Sequence, residues 1–377
     1  MTSMLSRLRL LALLALALLA CGDAEARVLD EPAHDEATPS APTATDPAPV
    51  EGAPATQASP AGAWVELGHH GDDRHRSTRV RAWVPTHEDG ARLPVLFVLD
   101  GQGADTWFRI PQTITALVSE GRIEPWIVVA IEATLDRTRE LGRTDGLFAR
   151  YVRDVILPVV RERLPTREGR ASTAILGYSY GGLAAVASGI AEPDTFGRVI
   201  AMSPSLWMRQ RDVIARFDRA RTRPVRLWID VGSREPDAED LIPYMVGDAR
   251  DLRDVALRHG MVLGRDVGFD EALGEAHDMS AAGRRMRQAL LFALSDRDLS
   301  RETPSTLSIT RYPPPTRPAG GRRATHAIQA RYEGDARLTF PESLVEARAG
   351  QTPLTRDIAG LDRPLSVRAF GLEARCD

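Results

Sequence analysis

The stretch Gly177-Tyr178-Ser179-Tyr180-Gly181-Gly182 constrains this chain more than any other. It follows Thr173-Ala174-Ile175-Leu176, which reads as a short buried strand. It precedes Leu183-Ala184-Ala185-Val186-Ala187, which reads as a helix. A strand that runs straight into a helix must bend sharply, and Gly177 and Gly181 leave room for a turn too tight for a Cβ. A serine at the apex is lifted above the sheet edge. The helix behind it points its partial positive charge at the place where an oxyanion would form. A bare G-x-S-x-G match is common by chance. The strand before it and the helix after it make it a candidate nucleophile elbow.

The rest of the chain from Ala63 supplies a matching scaffold. Trp64 to Leu67 and Arg79 to Val84 alternate in period two around the turn residues His69-His70-Gly71-Asp72-Asp73, so they read as a strand pair. The runs Pro94–Leu99, Trp126–Ile131 and Val199–Met202 are apolar, as expected of strands covered on both faces, and Val225–Val231 reads as another strand. Asp266 to Phe269 is a weaker strand. Helices are predicted over Pro111 to Glu120, Phe148 to Leu164 with a kink at Pro158, Leu241 to His259, and Arg284 to Leu294. Strands alternating with helices argue for an α/β fold: a mostly parallel sheet with helices on both faces. Residues 301–377 break this rhythm at Pro313-Pro314-Pro315. They carry short strand-like segments at Ile328–Tyr332, Arg337–Phe340 and Leu365–Phe370, which define a small β-rich C-terminal extension.

A serine hydroxyl needs a base to take its proton, and the base needs a carboxylate to hold its tautomer. Two histidines follow Ser179 within the α/β region. His259 ends a helix, whereas His277 sits in Gly274-Glu275-Ala276-His277, a loop after a strand, and is the preferred base. The acid is sought among Asp230, Glu235, Asp237 and Asp240. Asp230 lies inside a strand. Glu235 stands just past that strand's end, after Gly232-Ser233-Arg234, and is preferred over Asp237, which stays open. Two backbone donors are required for an oxyanion. Tyr180 N–H, next after the serine, is one candidate, and Gln102 N–H, in the loop Asp100-Gly101-Gln102-Gly103 that ends an earlier strand, is the other.

The N-terminus sets an address. Arg7 and Arg9 precede the short apolar run Leu10–Ala20, which ends Leu18-Leu19-Ala20-Cys21-Gly22. A basic start and a run this short are a secretory signal rather than a membrane span. The end of the run resembles a bacterial lipobox, which implies cleavage before Cys21 and its lipidation. Residues 22–62 hold seven Pro and eight acidic side chains against one Arg, and too little apolar surface to offset the entropy of ordering. The expected organisation is therefore a signal peptide at 1–20, an acidic linker at 21–62, an α/β domain at 63–300 and the β-rich extension at 301–377. The whole chain has net charge −4 and no Lys, so it lacks the basic footprint of a nucleic-acid binder.

Taken together, several motifs resemble the putative-esterase family of α/β hydrolases, which includes enterochelin esterases, S-formylglutathione hydrolases and mycolyltransferases. They are Val98–Gln102, Arg139-Glu140-Leu141, Leu157-Pro158, Gly177–Gly182, Ser203-Pro204-Ser205-Leu206-Trp207, Gly232–Glu235 and Gly274–His277. The resemblance spans roughly Trp64 to Leu294. It implies an α/β-hydrolase fold with Ser179 as nucleophile, Glu235 as acid, His277 as base, and the amides of Gln102 and Tyr180 as oxyanion donors. It also implies no metal and no organic cofactor. Members often carry a Trp a few residues after the catalytic His, whereas this chain has Ala282 and Gly283. The N-terminal substrate domain of enterochelin esterases is replaced by the linker. The expected function is a membrane-tethered serine ester hydrolase of an exported bacterial lipoprotein, acting on a small-molecule or polymer-linked ester. An acyltransferase and a catalytically silent surface-binding protein are the alternatives. Trp107, Phe108, Trp207 and Met208 are candidate pocket residues.

Overall fold

The computed structural model describes residues 61–236, 244–311, 326–334, 336–341, 355–357, 365–369 and 372–376. The predicted signal, Cys21 and the linker up to residue 60 lie outside these residues, as do Asp237, Asp240, the start of the helix predicted from Leu241, and Pro313-Pro314-Pro315.

Eight strands form the central sheet: β1 (Gly62–His70), β2 (Thr78–Pro85), β3 (Val95–Leu99), β4 (Ile127–Ile131), β5 (Thr173–Tyr178), β6 (Arg198–Met202), β7 (Arg226–Gly232) and β8 (Val267–Ala272). Their order is β1-β2-β4-β3-β5-β6-β7-β8. The hairpin β1–β2 joins β4 antiparallel, and every pair from β4 to β8 is parallel. Strands β3 to β8 are buried along their whole length, which explains the unbroken apolar runs of β3 and β4. The connection from β3 runs to β4 on one side, and the next runs back past β3 to β5 on the other. The order therefore reverses between β3 and β5. Open α/β sheets form their crevice at such a point, outside the carboxyl ends of the strands. The loop after β3 carries Gln102 and the turn after β5 carries Ser179.

The main helices are α1 (Ile110–Ser119), α2 (Arg137–Leu141), α3 (Leu147–Tyr151), α4 (Leu157–Arg163), α5 (Tyr180–Ala191), α6 (Met208–Arg219), α7 (Met245–Arg258) and α8 (Met279–Leu294). Helices α1 and α8 pack together on one face, while α5, flanked by α3 and α6, and α7 pack on the other. The predicted kink at Pro158 takes a specific form. Between α3 and α4 the chain widens into a π turn, Val152–Ile156. Pro158 has no N–H to give the carbonyl four residues back, and its ring crowds that carbonyl, so the turn before it loosens. Helix α8 starts earlier than its apolar pattern suggests, because the Asp278 side chain accepts the Ala281 N–H at 2.7 Å and caps it. Asp278→Ala is expected to cost about 1 kcal/mol, seen as a fall of roughly 2–4 °C in Tm. An unchanged Tm would show that the cap contributes nothing.

The β-rich extension is not free of the sheet. Strands β9 (Thr306–Arg311), β10 (His326–Arg331) and β11 (Arg337–Pro341) form an antiparallel sheet in the order β11-β10-β9. This sheet packs against β8, the edge strand. Glu271 N–H donates to Thr339 Oγ1 at 3.1 Å, and Gln329 Nε2 donates to the Glu271 carbonyl at 2.7 Å. Side chains thus satisfy an edge that would otherwise present unpaired backbone groups. A further sheet joins β12 (Thr355–Asp357), β13 (Leu365–Ala369) and β14 (Leu372–Cys376). Among the described residues no helix is long and apolar enough to cross a membrane.

Candidate active site

Ser179 sits between β5 and α5 with φ 59° and ψ −118°, a backbone conformation few non-glycine residues adopt. The bend is fixed on both sides. Ser179 N–H donates to the Met202 carbonyl at 3.0 Å, and Ser205 N–H donates to the Ser179 carbonyl at 3.0 Å. The loop after β6 therefore holds the turn after β5 in place.

His277, in the loop between β8 and α8, approaches from the other side. Its Nε2 lies 3.1 Å from Ser179 Oγ and its Nδ1 lies 2.9 Å from Glu235 Oε2. An ionised carboxylate only accepts, so Nδ1 carries the proton and Nε2 is free to accept from the serine. The Tyr178 ring stacks on the imidazole, with centroids 4.9 Å apart and planes at 23°. Burial pushes the Tyr178 phenol well above its ordinary value, so it stays neutral. Ser205 Oγ stands 3.2 Å from Ser179 Oγ.

Glu235 is fully buried and its two oxygens divide their work. Oε2 faces His277, while Oε1 accepts from Gly232 N–H at 2.7 Å and from Ser203 Oγ at 2.5 Å. Asp230, the strand-internal alternative, is turned away from His277. Its Oδ2 accepts from Trp228 Nε1 at 2.9 Å and its Oδ1 from Arg285 Nε at 3.1 Å. Burial pushes the Asp230 carboxyl up to about 6, against the pull of Arg285. Because this lies above the ordinary Asp value, the group's stabilising contribution is full below about 4 and is lost as pH rises through about 6. His259, the alternative base, ends α7 and pairs with Asp218 Oδ1 at 2.8 Å. It takes no part in the Ser179 cluster.

The two candidate amide donors lie at the start of α5 and in the turn just after β3. Tyr180 is the first residue of α5, so its N–H has no acceptor within the helix. Gln102 is the middle residue of a 3₁₀ turn, Gly101–Gly103, just after β3. Its side chain is occupied elsewhere, with Oε1 accepting from Ala133 N–H at 2.9 Å. The turn is anchored by Asp100, whose backbone is left-handed with φ 55°. Its buried carboxylate is held by Arg137 through two bonds of 2.5 and 2.8 Å. Arg137 also lies 5.5 Å from the Tyr180 ring centroid, so one guanidinium ties the two donor segments together. Among the candidate pocket residues, Phe108 is core, whereas Trp107 is 45% exposed. The Trp107 carbonyl oxygen stands 2.4 Å from where a Cβ on Gly283 would be. The position that lacks a family tryptophan is thus closed by a tryptophan-bearing loop from β3.

The sheet order, with the strand–turn–helix at Ser179, is that of an α/β-hydrolase fold. Residues 74–248 match the model of the family described as "Putative esterase". It is 34% identical over 150 residues to the iron(III) enterobactin esterase of Dickeya dadantii, covering 38% of this chain and 34% of that one. It is 32% identical over 142 residues to an iron(III) salmochelin esterase of Escherichia coli, covering 35% and 33%. The chain thus spans about a third of the length of these curated relatives. Among solved structures, the ferric enterobactin esterase of Salmonella typhimurium matches at TM-score 0.51 and 20% identity, over 62% of this chain and 57% of that one. A siderophore hydrolase of Aspergillus nidulans matches at TM-score 0.50 and 19% identity, over 66% and 98%. These likenesses are likenesses of fold.

Proposed function

We propose that this protein is a serine carboxylic-ester hydrolase working through Ser179, His277 and Glu235. The observation that carries the reading is the continuous relay from Ser179 Oγ to His277 at 3.1 Å and on to a buried Glu235 at 2.9 Å. In the proposed reaction Ser179 Oγ bonds to the ester carbonyl carbon and its proton passes to His277 Nε2. The carbonyl oxygen becomes an oxyanion facing the Tyr180 and Gln102 amides. One such donor is worth about 3 kcal/mol of barrier. Collapse breaks the C–O bond, and the leaving alcohol takes the proton from His277. Water then repeats the sequence on the acyl-enzyme and frees Ser179.

The relatives' names point to esters of the enterobactin kind as the first substrates to try. The remaining proposals rest on sequence: export through residues 1–20, a lipid on Cys21, a membrane tether over 21–62, the α/β domain at 63–300 and the extension at 301–377. The test is reaction with a fluorophosphonate together with turnover of p-nitrophenyl butyrate. The expected result is p-nitrophenolate release and an adduct on the peptide bearing Ser179. Absence of both adduct and turnover would overturn the reading.

A further inference from the structure

Behind Glu235 lies a buried charge cluster that the reaction above does not use. We propose that Arg285, on α8 two turns beyond His277, is a positioning residue that fixes Glu235 through the Ser203 hydroxyl and sets the charge balance of the site. This proposal rests on the hydrolase reading.

The geometry is a chain of contacts with no solvent between its members. Arg285 is 2% exposed. Its Nη2 donates to Ser203 Oγ at 2.6 Å, and Ser203 Oγ in turn donates to Glu235 Oε1 at 2.5 Å. The hydroxyl has one proton. While Arg285 fills its acceptor side, that proton is aimed at the carboxylate. Ser203 is held for this task with φ 42°, its N–H donating to the Asp230 carbonyl at 2.9 Å. With Oε1 engaged by Ser203 and Gly232, only Oε2 remains for His277.

The charges point the same way. Arg285 Nε bonds Asp230 Oδ1 at 3.1 Å, and Nη2 lies 3.6 Å from Glu235 Oε1, so one guanidinium serves two buried carboxylates. Burial alone would push Arg285 down, but Asp230, Glu235 and Asp270 outweigh it and hold it above its usual value. Asp270, opposite Asp230 in the β7–β8 register, has its own cation. Arg337 from β11 grips it with two bonds of 2.7 Å, and Gln288 adds a third at 2.5 Å. Tyr178 is neutral, and Asp278, at the surface, is occupied as a helix cap. Above about pH 6, where Asp230 is ionised, the Asp230 and Glu235 carboxylates share the single Arg285 guanidinium and leave one negative charge in excess. It is balanced only when His277 takes the serine proton, which favours the charge distribution of the transition state.

The test compares Arg285→Met, Arg285→Lys, Ser203→Ala and the double variant Arg285→Met/Asp230→Asn, each checked for a cooperative melt. kcat and KM are followed against pH with p-nitrophenyl butyrate, and fluorophosphonate labelling is run in parallel. Arg285→Met is expected to lose about a hundredfold in kcat with KM within about twofold, because the loss falls on orientation and not on substrate contact. Without the cation the site binds a proton more readily, so the acidic limb of the profile moves up by about one pH unit. Adding Asp230→Asn removes the unbalanced carboxylate. The limb returns while kcat stays low. Lysine restores the limb and part of kcat. Ser203→Ala lowers kcat about tenfold and leaves the limb in place. A Met variant with wild-type kcat and limb overturns the proposal. So does a lower kcat with an unmoved limb and no gain from lysine, which would mark packing alone. If the wild type neither turns over nor labels, the hydrolase reading falls and this proposal with it.

Discussion

Ser179→Ala and His277→Ala are each expected to lower kcat for p-nitrophenyl butyrate by about 10⁵-fold, and the double variant is expected to fall no further. The reason is that neither group works alone. Oγ 3.1 Å from Nε2 is a nucleophile only while the imidazole can take its proton, and the imidazole has no other partner to deprotonate. Each single change removes the whole step, so the losses do not add. What is expected to survive is the rate supported by the proposed oxyanion donors, the Tyr180 and Gln102 amides, acting on a water-driven reaction, roughly 10³-fold over the uncatalysed one. KM should change little, since Ser179 touches the carbonyl carbon and leaves the body of the substrate alone. Steady-state kinetics on purified variants, with residual contamination excluded by the fluorophosphonate signal, would decide the matter. Losses that multiply in the double variant would mean that the two side chains act independently and that the relay is not the engine of the site.

The parts of this site that were legible in the sequence are those with local rules. The elbow is a strand, a tight turn and a helix, and each leaves its own pattern. Glu235 was preferred over Asp230 because it stands just past the strand end, whereas Asp230 lies inside the strand, where it accepts from Trp228 Nε1. His277 was preferred over His259 because it follows a strand end, where such sheets keep their chemistry. Arg285 and Ser203 left no such trace. One lies in an amphipathic helix among other arginines and the other in a strand-end turn. They meet 82 residues apart only because α8 crosses β6, β7 and β8. Arginine supplies every cation in this chain, so no single one stood out. The same composition hid helix α6, whose twelve residues, Met208–Arg219, bury only Val213, Ile214 and Phe217. The clasp of β10 and β11 on β8 was missed for a different reason. It is made by Gln329, Thr339 and Arg337, polar residues whose role is visible only when an edge strand is there to satisfy.

The two elbow glycines look alike in the sequence but should behave differently. Gly177→Ala is expected to destabilise the protein by about 3 kcal/mol or more and to abolish labelling of Ser179, whereas Gly181→Ala should cost about 1 kcal/mol and leave a labelled enzyme. A Cβ on Gly177 would stand 2.1 Å from the Gly181 carbonyl oxygen and 2.7 Å from Gly181 Cα. Both obstacles are backbone, and they belong to the first turn of α5, so they move only if the helix moves. That helix positions the Tyr180 amide, so any relief of the clash shifts the proposed oxyanion donor away from Ser179 Oγ. A Cβ on Gly181 meets side chains instead, Asp100 Oδ2 at 3.2 Å and Leu99 Cβ at 3.5 Å. Those can give by a few tenths of an ångström, although Asp100 is held by Arg137 and the adjustment is not free. Denaturant melts of the two variants, read beside fluorophosphonate labelling, separate the cases. Equal stability losses would mean that the strand and helix can part at the elbow without cost. The turn would then be looser than a 2.1 Å contact allows, and the strain at Ser179 would have to be maintained by the loop after β6 alone.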